Sequence, residues 1–455
     1  MNRIMRAVAN KTRIAAVSLV GVLGWSSVGR ADIFHYNNVL VGDRANGMGG
    51  AYTAVADDAS GTYYNPAGIA FAQSNDLSGS ANAYYKKTLL YKNVLGGQDY
   101  NEDAGGLFSP FIGILNKLDR FVPGLVGAFS FYTSDTELLN QNDRWPLVLV
   151  SASDTQASAI DGFHRTVQLK SSTSHAAIAA GYRLSGRLSV GAGLRYTMID
   201  ELSQDFQKST SVVLDLASAK ITKKSTRYYN SRTSLSAIGV EPNIGAQMAL
   251  GQSLSIGLSF RKGMLLSQSM EQASDALVVT REDATEVTPD TAPTSSTETP
   301  STEDTKISNP FGSIPGEVRL GAAWFASPRL LVSGDLSYYN PATDGKVSWL
   351  RRQSVLNYAA GTEYYVTPSI AVRAGAFTNN DARPDVVTGK TDQGAKIDFK
   401  GGSMFVAYVQ PNTQLSIGAV MQKGTGKSQK LEGLTKTEDM TGSITTLSFS
   451  ATTSL

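Results

Sequence analysis

The chain has 455 residues, a formal net charge of +2, three histidines and no cysteine. This balance gives no reason to expect nucleic acid as a partner, and the missing cysteine excludes disulfides, thiol nucleophiles and zinc-thiolate sites. His35, His164 and His175 are too few for a metal cluster, although carboxylates alone would suffice for calcium. We predict neither a metal nor a cofactor.

The amino terminus has the pattern of an export signal. Basic residues precede an apolar run over 14–25, and the small residues Gly29 and Ala31 follow it. We predict a signal peptide over 1–31, because the run is shorter than the roughly 20 residues that a spanning helix needs. No later stretch reaches that length without charges. The exported chain is therefore soluble, or it crosses a membrane as strands.

Residues 188–199, "LSVGAGLRYTMI", alternate between two faces with the period of a strand. Leu194 and Tyr196 lie on an apolar face, whereas Arg195 and Thr197 lie on a polar one. The same split recurs in "LSIGLSF", "IAVRAGAF" and "LSIGAVM". In a soluble sandwich the apolar face would be the core, and in a transmembrane barrel it would meet lipid.

The lengths of the connections favour the barrel. Five tight turns, at 184–188, 250–254, 326–330, 366–370 and 410–414, alternate with long polar stretches. Outer-membrane barrels alternate short periplasmic turns with longer extracellular loops in this way. Counting by this rule gives fourteen strands, and the last ends at the final residue. We predict an all-β, antiparallel transmembrane barrel over 77–455.

One stretch, residues 281–306, is rich in Thr, Pro and Glu. It has too little apolar surface to fold alone. We predict a disordered extracellular loop rather than a site for calcium or another ligand.

A different kind of segment precedes the first strand. Residues 44–74, "RANGMGGAYTAVADDASGTYYNPAGIAFAQS", lack strand periodicity and are too few for an independent domain. Asn65 and Pro66 favour a turn that Gly68 completes. A barrel of fourteen strands has a lumen wide enough to need filling. We predict that residues 32–76 form a hatch with short helices inside that lumen.

The stretch "GMGGAYTAVADDASGTYYNPAG" resembles the hatch of FadL-type outer-membrane fatty acid transporters and their relatives that take up aromatic hydrocarbons. Asn65, Pro66 and Ala67 match the family's Asn-Pro-Ala motif, and Gly68 follows. The resemblance implies a bacterial outer-membrane protein for passive uptake of long-chain fatty acids or other hydrophobic molecules. In that family the molecule enters the lumen when the hatch moves and leaves sideways through a gap in the wall. We expect a monomer whose partners are such molecules and outer-membrane lipid.

Two features of the barrel sequence suit this mechanism. Pro110 cannot donate a ladder hydrogen bond, so it marks either a gap in the wall or a bulge at a strand end. Five arginines fall on polar strand faces and should project inward. They would bind either a substrate carboxylate or acids inside the barrel, such as Asp335 or hatch carboxylates. These are Arg183, Arg195, Arg261, Arg319 and Arg373.

The sequence leaves three other classes of function open. A non-specific porin would need an open aqueous lumen, and related glycine-rich openings occur in barrels that act as structural or secretion adaptors. An enzyme would need a nucleophile with its base, and no Ser-His-acid grouping is evident in the sequence. We therefore predict that the chain is not an enzyme.

Overall fold

The structure is a computed structural model that describes residues 32–95, 97–106, 109–145, 147–153, 155–282, 295–390, 393–430 and 437–455. Two short α-helices, α1 (Asp43–Gly47) and α2 (Gly61–Tyr64), and a 3₁₀ turn (Gly68–Phe71) precede the first strand. A second 3₁₀ turn spans Ser348–Leu350. In the part of the chain that the structure describes, no helix is both long enough and apolar enough to cross a bilayer.

The rest of the chain is almost entirely strand. The strand segments are β1 (Asp76–Leu95), β2 (Gln98–Gly105), β3 (Ser109–Lys117), β4 (Leu125–Trp145), β5 (Val148–Ala152), β6 (Gln156–Arg183), β7 (Leu188–Asp215), β8 (Lys220–Leu250), β9 (Leu254–Arg261), β10 (Met264–Glu282), β11 (Ser295–Ser308), β12 (Glu317–Ser327), β13 (Leu330–Tyr339), β14 (Val355–Thr367), β15 (Ile370–Asn379), β16 (Lys396–Gln410), β17 (Thr413–Ser428) and β18 (Glu438–Ser454).

These segments make fourteen wall strands, because four wall strands are each built from two segments. β2 and β3 both pair with β1, and β4 and β5 both pair with β6. Likewise β9 and β10 both pair with β8. On their other side, β11 pairs with β10, and β12 pairs with β9. The last segment, β18, pairs antiparallel with β1, so the sheet closes on itself. The predicted fourteen-stranded antiparallel barrel is confirmed.

The two faces of the wall have the polarity of a membrane-spanning barrel. Leu194 and Tyr196 are 44 % and 38 % exposed on the outside, whereas Arg195 between them is only 7 % exposed. A soluble sandwich would bury its apolar face instead. The outward apolar side chains therefore form the band that meets lipid.

Several predicted loops are strands that extend beyond this band. β10 reaches Glu282, and β11 pairs with it from Ser269↔Ser308 to Glu282↔Ser295. The prediction of a disordered loop over 281–306 is therefore wrong for 281–282 and 295–306, and residues 283–294 lie outside the described ranges. A paired hairpin satisfies its backbone groups without an apolar core, and the threonines of this stretch suit a strand.

The main hydrophobic core lies inside the barrel. It joins residues of the segment before β1, such as Met48, Tyr64 and Ile69, to wall residues such as Phe111 and Leu115. Helices of five and four residues are too short to be stable alone. The wall around them supplies the packing that fixes their positions.

Candidate functional site: the hatch and the lumen around it

The hatch turn is built around Asn65, whose side chain is fully buried. Its Oδ1 accepts a hydrogen bond from the backbone N–H of Ala67 at 3.1 Å, which forms an Asx turn over Pro66. Its Nδ2 donates to the carbonyl of Thr53 at 2.9 Å and to that of Ala246 in β8 at 3.2 Å. The amide therefore ties two parts of the hatch to each other and to the wall.

Gly68 allows the chain to fold back after this turn. A Cβ at Gly68 would lie 2.5 Å from the carbonyl oxygen of Ala56, so only glycine fits there. The four motif residues 65–68 thus act together as a compact, buried turn.

The wall meets the hatch through glycines, which we call the glycine belt. A Cβ at Gly191 would overlap the backbone of Pro66, and a Cβ at Gly245 would overlap the side chain of Asn65. Gly181, Gly191 and Gly245 lie directly opposite one another on three successive strands. The belt comprises Gly181, Gly191, Gly245, Gly257, Gly321, Gly361 and Gly375. Hatch backbone therefore packs directly on wall backbone.

Serines of the wall complete this contact. Ser189 and Ser255 donate to the hatch carbonyls of Ala67 and Ala54, both at 2.8 Å. In the same way, Ser333 and Ser403 donate to the carbonyls of Ala51 and Gly47 at 2.7 and 2.9 Å. These bonds satisfy carbonyls of the irregular hatch backbone that would otherwise be buried without partners.

Three of the five predicted arginines converge on the hatch residue Tyr63. The guanidinium carbons of Arg195, Arg261 and Arg319 lie 5.8, 5.2 and 4.7 Å from the centre of its ring. Arg261 Nη1 also donates to the Tyr63 carbonyl at 3.2 Å, and Arg319 Nη2 donates to its hydroxyl at 3.0 Å. We call this group the arginine cluster.

Two buried glutamates accompany the arginine cluster. Glu241 pairs with Arg195, and Glu317 pairs with both Arg261 and Arg319. The cluster therefore has three positive charges against two negative ones. Both glutamates lie on inward strand positions. The alternation of polar and apolar residues that predicts inward arginines therefore predicts inward glutamates as well.

The other two predicted arginines lie elsewhere. Arg373 pairs with Glu363 at 2.7 Å and with the hatch residue Asp43 at 3.2 Å. Arg183 donates to the carbonyl of Ala70 at 2.6 Å, where β6 ends. The five arginines thus do not make one site, and these two hold the hatch to the wall.

Asp335, a predicted partner for the inward arginines, binds the backbone of the segment before β1. It accepts hydrogen bonds from the backbone N–H groups of Tyr52 and Thr53 at 3.0 and 2.9 Å. The carboxylate therefore fixes hatch backbone.

The first residues of the hatch, 32–41, run along the inside of the wall; we call them the leading segment. Lys87 of β1 donates to Asp32 and to Glu137 of β4, both at 3.0 Å. Asn38 donates to Asp135 of β4, also at 3.0 Å. The leading segment is therefore anchored on the first and third wall strands.

His35 adds an internal ion pair to the leading segment, with Nδ1 2.5 Å from Asp32 Oδ1. Burial opposes the charge on this imidazole, but the carboxylates of Asp32 and Asp381 outweigh burial and raise the pKa of His35. Burial likewise opposes ionisation of Asp32, yet His35 and Lys87 hold its pKa well below the usual value. Both groups are therefore stabilised in their charged forms.

Beside the leading segment, the ladder of the wall is incomplete among the described residues, and residues 107 and 108 of this stretch lie outside the described ranges. The ladder between the second and third wall strands runs from Lys117↔Val126 to Phe111↔Tyr132, and in the described residues it recurs only at Gly105↔Leu138. Pro110 lies next to the interruption and pairs with Ala81 of β1. Its missing N–H suits a position where the ladder stops.

A cavity of about 170 Å³ lies between the hatch and the wall. Asp43, Asp57, Asp58 and Arg44 of the hatch line it, together with Ser78 and Phe111 of the wall and other wall residues. Its lining therefore combines charged groups with apolar surface. Within the described ranges, no group of three or more His, Asp or Glu side chains is placed to hold a metal ion.

Comparison with known proteins gives matches at the level of structure. A Pseudomonas aeruginosa FadL homologue superposes with a TM-score of 0.56 at 12 % identity, over 91 % of this chain and 98 % of that chain. The toluene transporter TodX of P. putida gives 0.56 at 12 % identity, over 92 % and 99 %. The Ralstonia pickettii toluene transporter TbuX gives 0.51 at 11 % identity, over 92 % and 100 %.

No family model matches the sequence. No curated protein matches it either. The structural matches cover nearly the whole length of both chains, so the likeness includes the barrel and the segment before it. The chain therefore has the fold of the FadL homologue and of the toluene transporters, the FadL-type barrel that its hatch motif indicated.

Proposed function

We propose that this chain is a passive outer-membrane transporter that takes up long-chain fatty acids or other hydrophobic molecules and releases them sideways from the barrel. One observation supports the proposal: the segment before β1 is buried inside the barrel, beside a stretch of wall where the ladder is incomplete among the described residues. The solved structures with this fold include a FadL homologue and toluene transporters, which supports the same class of cargo.

The chemistry of the two ways out of the lumen supports the sideways route. An apolar molecule that passed beside the hatch through this cavity would meet the charged side chains of Asp43, Asp57 and Asp58. A molecule that left through the wall beside Pro110 would enter the apolar interior of the bilayer. Transfer from the lumen into lipid avoids the unfavourable free energy of hydrating an apolar surface.

The arginine cluster is the proposed binding site for a substrate carboxylate. Arg195, Arg261 and Arg319 exceed Glu241 and Glu317 by one positive charge, so a bound carboxylate would balance the group. The ring of Tyr63 lies among the three guanidinium groups, so a carboxylate bound there would change the contacts of the hatch. A hydrocarbon without a carboxylate would not bind at this site.

The test compares uptake with conductance. We expect the intact protein to take up radiolabelled oleate. In a planar bilayer, it should conduct almost no ions. Deletion of residues 44–74 should leave a folded barrel that conducts ions, because ladder hydrogen bonds hold the wall independently of the hatch. Equal conductance from the intact and the deleted protein would contradict a plug.

Substitution of Asn65 separates this transporter from a structural or secretion adaptor. Asn65→Ala removes three buried hydrogen bonds and should loosen the hatch by about 1–3 kcal/mol. This variant should take up less oleate, while its abundance in the membrane stays the same. Asn230→Ala on the outward face is the matched control. If neither protein transports oleate but both co-purify with partner proteins, the adaptor class is favoured.

A further inference from the structure

Two lysines face each other on the outside of the barrel. Lys400 of β16 and Lys423 of β17 are directly opposite in the ladder, and both are exposed. Within the described residues, no acid lies within ion-pair distance of either. Like charges directly opposite on neighbouring antiparallel strands repel each other and destabilise the sheet. The position therefore suits an anion bound from outside.

The neighbouring charges leave this pair basic. Lys396 and Lys427 form the next like-charged pair four residues further from the short turns, and Lys396 is already paired with Asp385. Asp398 lies between the two pairs on the same face, and its Oδ1 accepts a hydrogen bond from the backbone N–H of Asp381. Asp439 faces Lys427 across the ladder to β18.

The lysine pair marks the upper edge of the apolar band. Towards the short turns, the outward residues of these strands are large and apolar, including Met404, Met421 and Ile417, which are 64 %, 59 % and 68 % exposed. Away from the short turns, the outward residues are polar or charged. The lysine pair thus lies at the depth of lipid headgroups, in the leaflet on the side of the long connections.

A shallow groove lies directly below the lysines. Gly402 follows Lys400 on the outward face and pairs with Met421, while Ala419 pairs with Met404. Ala376 of β15 pairs with Gly402 and extends the low floor of the groove. A Cβ at Gly402 would meet only the carbonyl oxygen of Gly375, at an ordinary 3.5 Å, so space above the floor is open. The two methionines form its sides.

We propose that this surface binds a phosphorylated lipid of the outer leaflet, with its phosphate on Lys400 and Lys423 and an acyl chain in the groove over Gly402. Lysine is a flexible point charge that binds phosphate well, and the arrangement matches an anionic headgroup above an apolar tail. The inference rests on the outer-membrane location within the proposed function, but it does not depend on uptake.

The experiment measures lipid binding to the full-length purified protein in detergent by native mass spectrometry. The probes are bis-phosphorylated lipid A, dephosphorylated lipid A, and inorganic phosphate alone. The variants are Lys400→Gln with Lys423→Gln, and Gly402→Leu, which fills the groove and leaves the charges. The control, Lys117→Gln with Lys220→Gln, removes two exposed lysines at opposite ends of the barrel. Heat-modifiable migration checks that each variant is folded.

We expect bis-phosphorylated lipid A to bind the intact protein and the control equally. The double variant should lose about fivefold in affinity per lysine, roughly 25-fold in all. Gly402→Leu should weaken the binding of bis-phosphorylated lipid A, and dephosphorylated lipid A should bind weakly to every protein. Equal binding by the intact protein and the double variant would overturn the proposal. Equal binding of the two lipids, or binding of inorganic phosphate as tight as that of lipid A, would overturn it as well.

Discussion

Single glycines of the wall position the hatch, because they allow its backbone to contact the backbone of the wall. Gly191 and Gly245 lie opposite each other in the ladder and have no Cβ, so they contact Pro66 and Asn65 directly. Such contacts give many close van der Waals interactions and exclude water from the hydrogen bonds of the Asx turn. The glycine belt therefore lets the segment before β1 pack closely against the wall.

The first prediction concerns Gly191. In Gly191→Val the new side chain would overlap the backbone of Pro66, which cannot rotate away, so the hatch must shift. We expect higher ion conductance in planar bilayers with unchanged heat-modifiable migration. Gly334→Val is the matched control, since a Cβ there would lie 3.7 Å from its nearest neighbour, the carbonyl oxygen of Ala359. If both variants conduct alike, the belt does not seat the hatch.

The second prediction concerns pH and the leading segment. Because the pKa of His35 is raised, the stabilisation from its charged form is complete below its unfolded pKa of about 6.5 and is lost as the pH rises through the folded value. The lowered pKa of Asp32 acts oppositely, and its contribution is lost only in acid. Raising the pH from about 6 to 9 should therefore loosen the leading segment.

Single-channel recording at both pH values measures this effect as more frequent opening at the higher pH. His35→Gln should remove the dependence on pH over that window, because glutamine stays neutral. His164→Gln is the control, since His164 is a half-buried residue of β6 that contacts Asn142, away from the leading segment. Identical pH profiles for the intact protein and His35→Gln would rule out the ion pair as the cause.

At the scale of elements, strands extend where polar loops were expected. β7 and β8 have 28 and 31 residues, and β10 and β11 continue as a hairpin beyond the apolar band. Roughly 9–11 residues suffice for a strand to span a bilayer. These hairpins therefore rise well outside the membrane, on the side opposite the short turns.

The third prediction tests that topology. A peptide tag inserted between residues 287 and 288, in the connection of β10 to β11, should bind its antibody on intact cells. The same tag inserted between Gly251 and Gln252, in the short turn from β8 to β9, should be reached only after permeabilisation. The reverse pattern would mean that the orientation of the barrel is inverted.

At the scale of the whole molecule, closure of the barrel by β1 and β18 removes every long free edge between them. All backbone groups within the bilayer must find partners in the protein, and a closed ladder meets that condition. The interruption beside Pro110 is the exception, and there the leading segment binds the third wall strand through Asn38 and Asp135.

The fourth prediction concerns processing of the whole chain. We expect the mature protein to begin at Asp32 and to fractionate with outer membranes. Amino-terminal sequencing of membrane-inserted protein measures this directly. Recovery of residues 1–31 in that fraction would contradict cleavage after Ala31, and the cytoplasmic form of a chain that lacks residues 1–31 is the control for export.

The sequence by itself determined the class of fold and the number of wall strands. These features are local: a period of two assigns each side chain to a face, and turn residues mark where strands end. The same alternation predicted that Arg195, Arg261 and Arg319 lie on the polar faces of their strands. The hatch motif at residues 65–68 was visible because its turn chemistry is contained in four consecutive positions.

Only the tertiary structure decided which inward residues meet. Alternation gives the face of Arg261 or Arg373 but not its height in the lumen, because height depends on the register between strands distant in sequence. For the same reason the glycine belt, the partners Glu241 and Glu317, and the interruption beside Pro110 could not be placed from sequence. The prediction for 281–306 is wrong at 281–282 and 295–306 because β10 and β11 are stabilised by strand pairing and not by an apolar pattern of their own.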